Sequence, residues 1–245
     1  MAGTTMPAFL RIVLTVLKRI AQAFALLIGA IVLYLAYSYF TTVYHYNYRL
    51  TLVVEADGKV YSDSSVISVA IEDNRAARWT RSGWKITSWG ASPWVDLGSR
   101  GVVLVSVEPT FYPAPNGTPR PRAAGGFPLS AYFPGAEPLL SEENLTQIVK
   151  IKRRGEVSLD LAQLMWMPDP NAPRSAEFFP PNDRSELESR GIKVLALYLE
   201  MTDERADFTA IHEKFPWLKI MSKTNPVNHE LPNGLNARTL MGEYK

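Results

Sequence analysis

From Ile20 to Phe40 the chain reads IAQAFALLIGAIVLYLAYSYF, without one charged side chain. At 1.5 Å per residue, a helix over this stretch is just long enough to cross the ~30 Å hydrocarbon core of a bilayer. A helix buried in a globular core is rarely apolar on every side for that length. The stretch therefore predicts a transmembrane helix over residues 20–40. It divides the 245 residues into a short leading segment, 1–19, and one large domain behind the helix.

The flanks give a direction. Arg11, Lys18 and Arg19 precede the stretch, whereas Tyr34, Tyr37, Tyr39, Phe40, Tyr44, Tyr46 and Tyr48 cluster at its far end, and the next basic residue is Arg49. Short cytoplasmic flanks are enriched in Lys and Arg, and aromatic rings settle at headgroups, so the amino terminus is expected in the cytoplasm and everything beyond about residue 45 outside. A cleaved signal peptide cut near Ala36 or Ser38 would need an apolar core of about 7 to 15 residues, shorter than this one. Small residues at Ala25, Gly29, Ala30 and Ala36 would let a second helix approach, although G-x-x-x-G itself is absent.

The first 45 residues hold three basic side chains and no acidic one, leaving 23 of the 26 basic residues against all 24 acidic ones. A domain so balanced carries no electrostatic footprint for nucleic acid, and the pI of 8.7 owes much to the flank of the helix. With no cysteine there is no disulfide framework, thiol nucleophile or thiolate metal site, and the core must hold the domain together.

The domain reads as β-rich. Leu50, Leu52 and Val54 alternate with Arg49, Thr51 and Glu55; Asp57-Gly58 supplies the positive-φ pair of a tight turn; Ile67, Val69 and Ile71 resume the alternation. Pairing Ala56 with Lys59 puts Asp63 on the face of Ile67, which predicts either a bulge or an opening to water at that end. Four tryptophans, Trp79, Trp84, Trp89 and Trp94, then follow five residues apart. Five is odd, so on one strand successive rings would point to opposite faces; a meander with Trp79 facing Trp84 across a turn is the expectation.

Val102 to Val105 reads as a central strand. Eight prolines between Pro109 and Pro138 predict an irregular loop for most of that stretch, with Phe111 and Tyr112 among its aromatics. Ser141 is expected to cap a helix EENLTQIVKIKRRG in which Glu142 and Glu143 begin, Lys152 to Arg154 end and Gly155 stops, an order that suits the helix dipole. EVSLDLAQLMWM fits strand or helix, and the proline-rich run from Pro168 to Asp183 reads as a second loop. Ile192 to Asp203 is a strand with apolar residues on both faces, and Thr202 is expected to cap a helix carrying Phe208, Ile211 and Phe215. Beyond residue 220 the pattern fades. The organisation expected is 1–19 cytoplasmic, 20–40 transmembrane, 46–220 a mainly antiparallel α+β domain with a few short helices, and 221–245 an irregular tail.

No motif names a reaction. G-x-S-x-G is absent, and neither His212-Glu213 nor His229-Glu230 extends to H-E-x-x-H; His212 reads as an exposed helix residue. Asp169 and Asn171 resemble the start of a calcium loop that lacks the sixth-place glycine and ends in Pro180. No cofactor or metal is expected. Two classes of function remain. In the first, long loops and exposed aromatics (Trp79, Trp84, Trp89, Phe111 and Tyr112) bind a partner protein or envelope component, without catalysis. In the second, Asp63, Asp96, Asp169 and Glu177 meet in the fold as an acidic hydrolytic site. A third, smaller possibility is an accessory subunit packing through its membrane helix.

The order of Tyr48-Arg49-Leu50-Thr51, the Asp57-Gly58 turn, Ser64-Ser65-Val66-Ile67, Val95-Asp96-Leu97-Gly98 with Gly101, DPNAP at 169–173, Thr202-Asp203, Ile211 and FPWL at 215–218 resembles an uncharacterised family of single-pass membrane-anchored proteins of Gram-negative bacteria, chiefly alphaproteobacteria. The likeness covers about residues 20–218. The chain departs from that family at Asp63, where glycine is usual, and at Trp94, where an apolar strand residue is; the second departure favours packing for Trp94. The resemblance implies an inner-membrane anchor with a periplasmic domain and no known activity.

Overall fold

The computed structural model describes residues 8–40, 42–73, 84–107, 111–113, 119–121, 126–135, 140–179, 183–219 and 240–241. Two compact units emerge, Met1–Thr42 with Asp73–Gly83, and Val43–Glu72 with Trp84–Lys245.

The first unit holds helix α1, Ala8–Phe40. Its span Thr15–Ala36, 22 residues, is long and apolar enough to cross a membrane, and none of it is buried. Leu26 and Leu33 are more than two-thirds exposed, side chains that water would not tolerate so bare along one face after another. Lys18 and Arg19 lie in its first turns, ahead of the uncharged run that begins at Ile20.

Two residues after α1 the chain enters β1, Thr42–Ala56, which turns back through Asp57 (φ 52°) and Gly58 (φ 68°) into β2, Lys59–Asp73. This is the hairpin expected, closed by the left-handed pair that its right-handed twist requires. Along β1 the side chains of Tyr46, Tyr48, Leu50, Leu52, Val54 and Ala56 are buried and those between are not. Further on come β3, Trp84–Gly90, β8, Gly155–Val157, and β11, Ile192–Thr202, and these complete a sheet in the order β3-β2-β1-β11-β8. Strand β11 is internal, as its two apolar faces predict, but its faces exchange part-way. Opposite the Val53-Val54 step the register shifts, Val53 facing Ala196 and Val54 facing Val194, which leaves Leu195 as the unpaired residue of a bulge. Ile192 and Val194 therefore share the core face with Leu197, Leu199 and Met201, and Leu195 is exposed.

The second sheet runs β10-β9-β5-β4, from strands β4, Trp94–Asp96, β5, Val102–Val105, β9, Leu164–Met167, and β10, Glu177–Phe179. All four residues of β5 are buried, so it is the central strand its sequence predicts. Val103 and Val105 join the large core against the first sheet; Val102 and Leu104 join a second core with Ile211, Phe215 and Leu218, on or beside helix α5, Thr209–Lys214. Leu240 and Met241 are helical and fully buried in that second core, and the Ser92 N–H donates to the Leu240 carbonyl at 2.7 Å, so the tail from 221 onward is not wholly irregular. The rest of that tail lies outside the described residues.

Three other expectations change. The proline-rich stretch carries a two-stranded ribbon, β6 (Phe111–Pro113) with β7 (Pro119–Pro121), and helix α2, Phe127–Tyr132, whose Phe127, Leu129 and Tyr132 enter the core. Pro128 fits there because the first helical turn has no intrahelical use for its missing N–H. Ser141 does cap helix α3, accepting the Asn144 N–H at 3.1 Å, but α3 stops at Ile148. Lys152, Arg153 and Arg154 consequently lie on the connector to β8, with Arg154 stacked 3.7 Å from the Tyr198 ring centroid, and do not serve the helix dipole. Helix α5 begins seven residues past Thr202, whose hydroxyl instead accepts the Glu204 N–H at 3.2 Å. The strand-or-helix ambiguity of the segment 156–167 resolves into the end of β8, a single 3-10 turn at Leu159–Leu161, and β9.

The turn from β4 into β5 uses two glycines differently. Gly98 (φ 65°) has open space where a Cβ would stand, but at Gly101 (φ 85°) a Cβ would lie 2.2 Å from the Met167 carbonyl oxygen. Gly98→Ala is expected to cost about 1 kcal/mol and Gly101→Ala at least ~3 kcal/mol, read by urea unfolding of the detergent-solubilised chain.

Candidate functional site

A cleft of about 480 Å³ opens in the β domain beside the early part of β2. That size lies in the range of ligand-binding pockets, roughly 300 to 1,000 Å³. Its floor is the strand segment Tyr61 to Val66. One wall is Ala91 with the β4 residues Trp94, Val95 and Asp96; the other is the segment after β11, with Glu204, Arg205, Asp207 and Ala210, backed by Arg49.

The sequence explains the floor. The core-facing stripe of β2 is apolar at Ile67, Val69 and Ile71 but turns polar at Ser65 and Asp63. A side chain that must stay hydrated cannot be sealed between two sheets, so the sheets part there. Asp63 thus opens to water, one of the two outcomes its place in the hairpin predicts. Ser65 ties the floor to the wall, its hydroxyl donating to the Ala91 carbonyl at 2.6 Å.

Charges around the cleft are mostly matched. Arg49 pairs with Glu204, and Lys214 of α5 reaches Asp96. Partial burial alone would raise the Asp96 pKa, but the Lys214 ammonium and the Gly98 N–H, 2.9 Å from Oδ1, outweigh it and hold the carboxyl below its ordinary value. Asp207 also lies below the usual carboxylate range, because it accepts the Thr209 N–H at 3.0 Å and the Thr209 hydroxyl at 2.8 Å. Asp63 goes the other way: burial pushes its pKa up, only partly opposed by the Ser64 N–H. The cleft thus sets four carboxylates against two arginines, and Asp63 is the one held least comfortably as an anion. Trp94 forms part of the wall and packs edge-on against Phe215, ring centroids 6.2 Å apart, with the Lys214 ammonium 5.4 Å from its ring centre. Trp94, for which packing is the expectation, therefore both packs and borders the opening.

Of the four acidic residues named from the sequence, Asp63 and Asp96 share this cleft and the other two do not. Asp169 organises its own turn, accepting the Asn171 N–H at 2.9 Å and the Ser175 hydroxyl at 3.1 Å. Glu177 pairs with Arg190, whose guanidinium lies 4.5 Å from the Trp166 ring centroid. Glu204, Arg205 and Asp207 were not anticipated; their only sequence signal is the charged run TDERAD behind a strand. Among the named aromatics, Trp89 is half-buried on β3; Trp84, Phe111 and Tyr112 have their main chain in strands but their side chains, like all of Trp79, lie outside the described residues. The expected Trp79–Trp84 pair lies there too. His212 is half-buried rather than exposed; its Nε2 has no hydrogen-bond partner among the described residues, and burial lowers its pKa. Among the described residues no three histidine, aspartate or glutamate side chains gather closely enough to hold a metal ion.

Against known proteins the chain finds no match, whether to a family model, a curated protein or a solved structure.

A raised carboxyl pKa in the folded state means that ionising Asp63 weakens the fold: its stabilising share is full below the unfolded value and is lost as pH rises through the folded one. Asp63→Asn should accordingly raise the melting temperature at pH 7, with the difference from the parent chain shrinking to nothing as the pH approaches 3, followed by circular dichroism.

Proposed function

We propose that this chain is an inner-membrane-anchored module of the bacterial envelope whose periplasmic β domain holds another envelope component in the cleft beside β2 and does not transform it. The cleft carries this reading: a half-open, charge-lined recess in which the Arg49–Glu204 and Lys214–Asp96 pairs already satisfy most of the charge. Paired and fixed groups of that kind suit recognition, where polar partners are matched, better than chemistry, which needs a group free to exchange a proton. The Thr15–Ala36 span supports the anchor, and the basic residues ahead of it, with no acidic one before residue 45, support its direction. The resemblance to membrane-anchored alphaproteobacterial proteins points to the same compartment.

A hydrolytic reading retains one supporting observation, that Asp63 and Asp96 share the cleft with ionisation pushed in opposite directions, as in an acid and base pair. Its difficulty is that Asp96 is committed to Lys214 and Gly98. Unchanged turnover of envelope polymers after Asp63→Asn removes it.

Because the chain has no cysteine, single cysteines report cleanly. Lys59→Cys should react with a membrane-impermeant maleimide in cells with a permeabilised outer membrane, whereas Thr5→Cys should react only after lysis; the reverse pattern overturns the topology. A photo-crosslinking amino acid at position 205 should capture a discrete component in native membranes, and one at the exposed position 193 should not. Equal, diffuse labelling from both positions would refute binding in the cleft.

A further inference from the structure

Strand β2, 15 residues, is much longer than its neighbour β3, 7 residues. Gly90, the last residue of β3, lies against Val66 and Ile67, where a Cβ would come within 2.5 Å of the Val66 carbonyl oxygen. The sheets are antiparallel, so β3 covers β2 from Ile67 onward and leaves the segment before Val66 with β1 on one side and no strand on the other, among the described residues. That bare edge is the floor of the cleft.

The hairpin register identifies which main-chain groups are bare. With a two-residue turn at Asp57-Gly58, Ala56 and Lys59 exchange hydrogen bonds, and every second pair after them does so: Val54 with Tyr61, Leu52 with Asp63, Leu50 with Ser65. The residues between, Ser62 and Ser64, turn their N–H and C=O groups away from β1 and into the cleft, where the Ser64 N–H is already shared with the Asp63 carboxylate. Main-chain donors and acceptors at a sheet edge are a template for another strand. Natural edges are commonly guarded by an inward-pointing charge, and Asp63 is one.

Resting on the reading of the cleft as a binding site, we propose that its occupant is an extended segment of a partner protein, added to β2 as a strand along Ser62–Ser64 and carrying a lysine or arginine that pairs with Asp63. An added strand presents alternate side chains to the two walls: one set to Asp63 and Trp94, the other to Glu204, Arg205 and Asp207. The charge is complementary. Arg49 and Lys214 neutralise Glu204 and Asp96, which leaves Asp63 and Asp207 against Arg205, an excess of negative charge that one basic side chain balances. A basic partner also relieves the partly buried carboxylate of Asp63, whose anion has no cation beside it among the described residues.

The test uses the full chain in lipid nanodiscs and three synthetic pentapeptide pools: lysine at the centre with randomised flanks, glutamate at the centre, and the lysine pool with N-methylated main-chain amides. The lysine pool should be retained about tenfold over the glutamate pool, and Asp63→Asn should erase that preference. N-methylation should abolish retention. Ser62→Pro, which removes an outward N–H and leaves both the β1 ladder and the Ser64–Asp63 hydrogen bond in place, should do the same. In the parent chain the lysine pool should slow amide exchange at Ser62 and Ser64, a readout that does not depend on the proline variant folding. Retention indifferent to N-methylation, or without slowed exchange, overturns strand addition and leaves the cleft a binding site of another kind. No retention of any pool overturns the proposal; crosslinks from position 205 would then still uphold the cleft, and their absence would end both.

Discussion

The inward stripe of β1 is the constraint on which the β domain depends. Tyr46, Tyr48, Leu50, Leu52, Val54 and Ala56 lie on one face of the middle strand of the larger sheet, and the second sheet and helices α2 and α3 bring Val103, Val105, Leu164, Phe127, Leu129, Leu145 and Ile148 to the same core. Because β1 must keep one face inward for its whole length, its neighbours adjust to it. The bulge at Leu195 is that adjustment: it slips β11 by one residue so that Leu197, Leu199 and Met201 join a face that Ile192 and Val194 already occupy. A chain without cysteine has no covalent device to correct such a register, so burial alone holds it.

The cleft forms where the core-facing stripe of β2 is interrupted by the sequence rather than by a chain end. A serine and an aspartate, Ser65 and Asp63, occupy positions of β2 that continued alternation would fill with apolar residues, and the neighbouring strand stops where they begin. Packing and polarity are therefore two aspects of one feature. If the apolar pattern had continued, the sheets would have closed on each other; if β3 had been longer, the edge would have been paired. The ion pairs at the rim are exposed and contribute modestly to stability, so their part is to fix side chains around the opening and to set its charge.

A second group of polar contacts fastens the loops. Arg100 reaches Asp57 at the hairpin tip and the Arg190 carbonyl, while its own carbonyl accepts the Trp166 indole N–H at 2.7 Å. The Trp217 indole N–H donates to the Pro170 carbonyl at 2.8 Å, pinning the loop that begins at Asp169. The proline-rich stretches are consequently layers of the domain as well as connections, since Phe127, Leu129, Ala176 and Phe179 are buried in its cores.

By itself the sequence determined the elements whose cause is local: the apolar helix, the hairpin with its Asp57-Gly58 turn, the central Val102–Val105 strand, the Ser141 cap and the strand through Leu197. Each follows from periodicity or from a side chain acting on backbone a few residues away, so neighbours in sequence suffice to read it. It also marked Asp63 as out of place on an apolar face. Tertiary structure alone decided what Asp63 faces, because Asp96, Glu204 and Arg205 reach the cleft from chain 33 to 142 residues distant, and no local pattern records that approach. The same holds for the burial of α2, the bulge in β11, the release of Lys152–Arg154 from the helix, and the return of Leu240 and Met241 to the core. Each is settled by a surface that exists only once the sheets have formed.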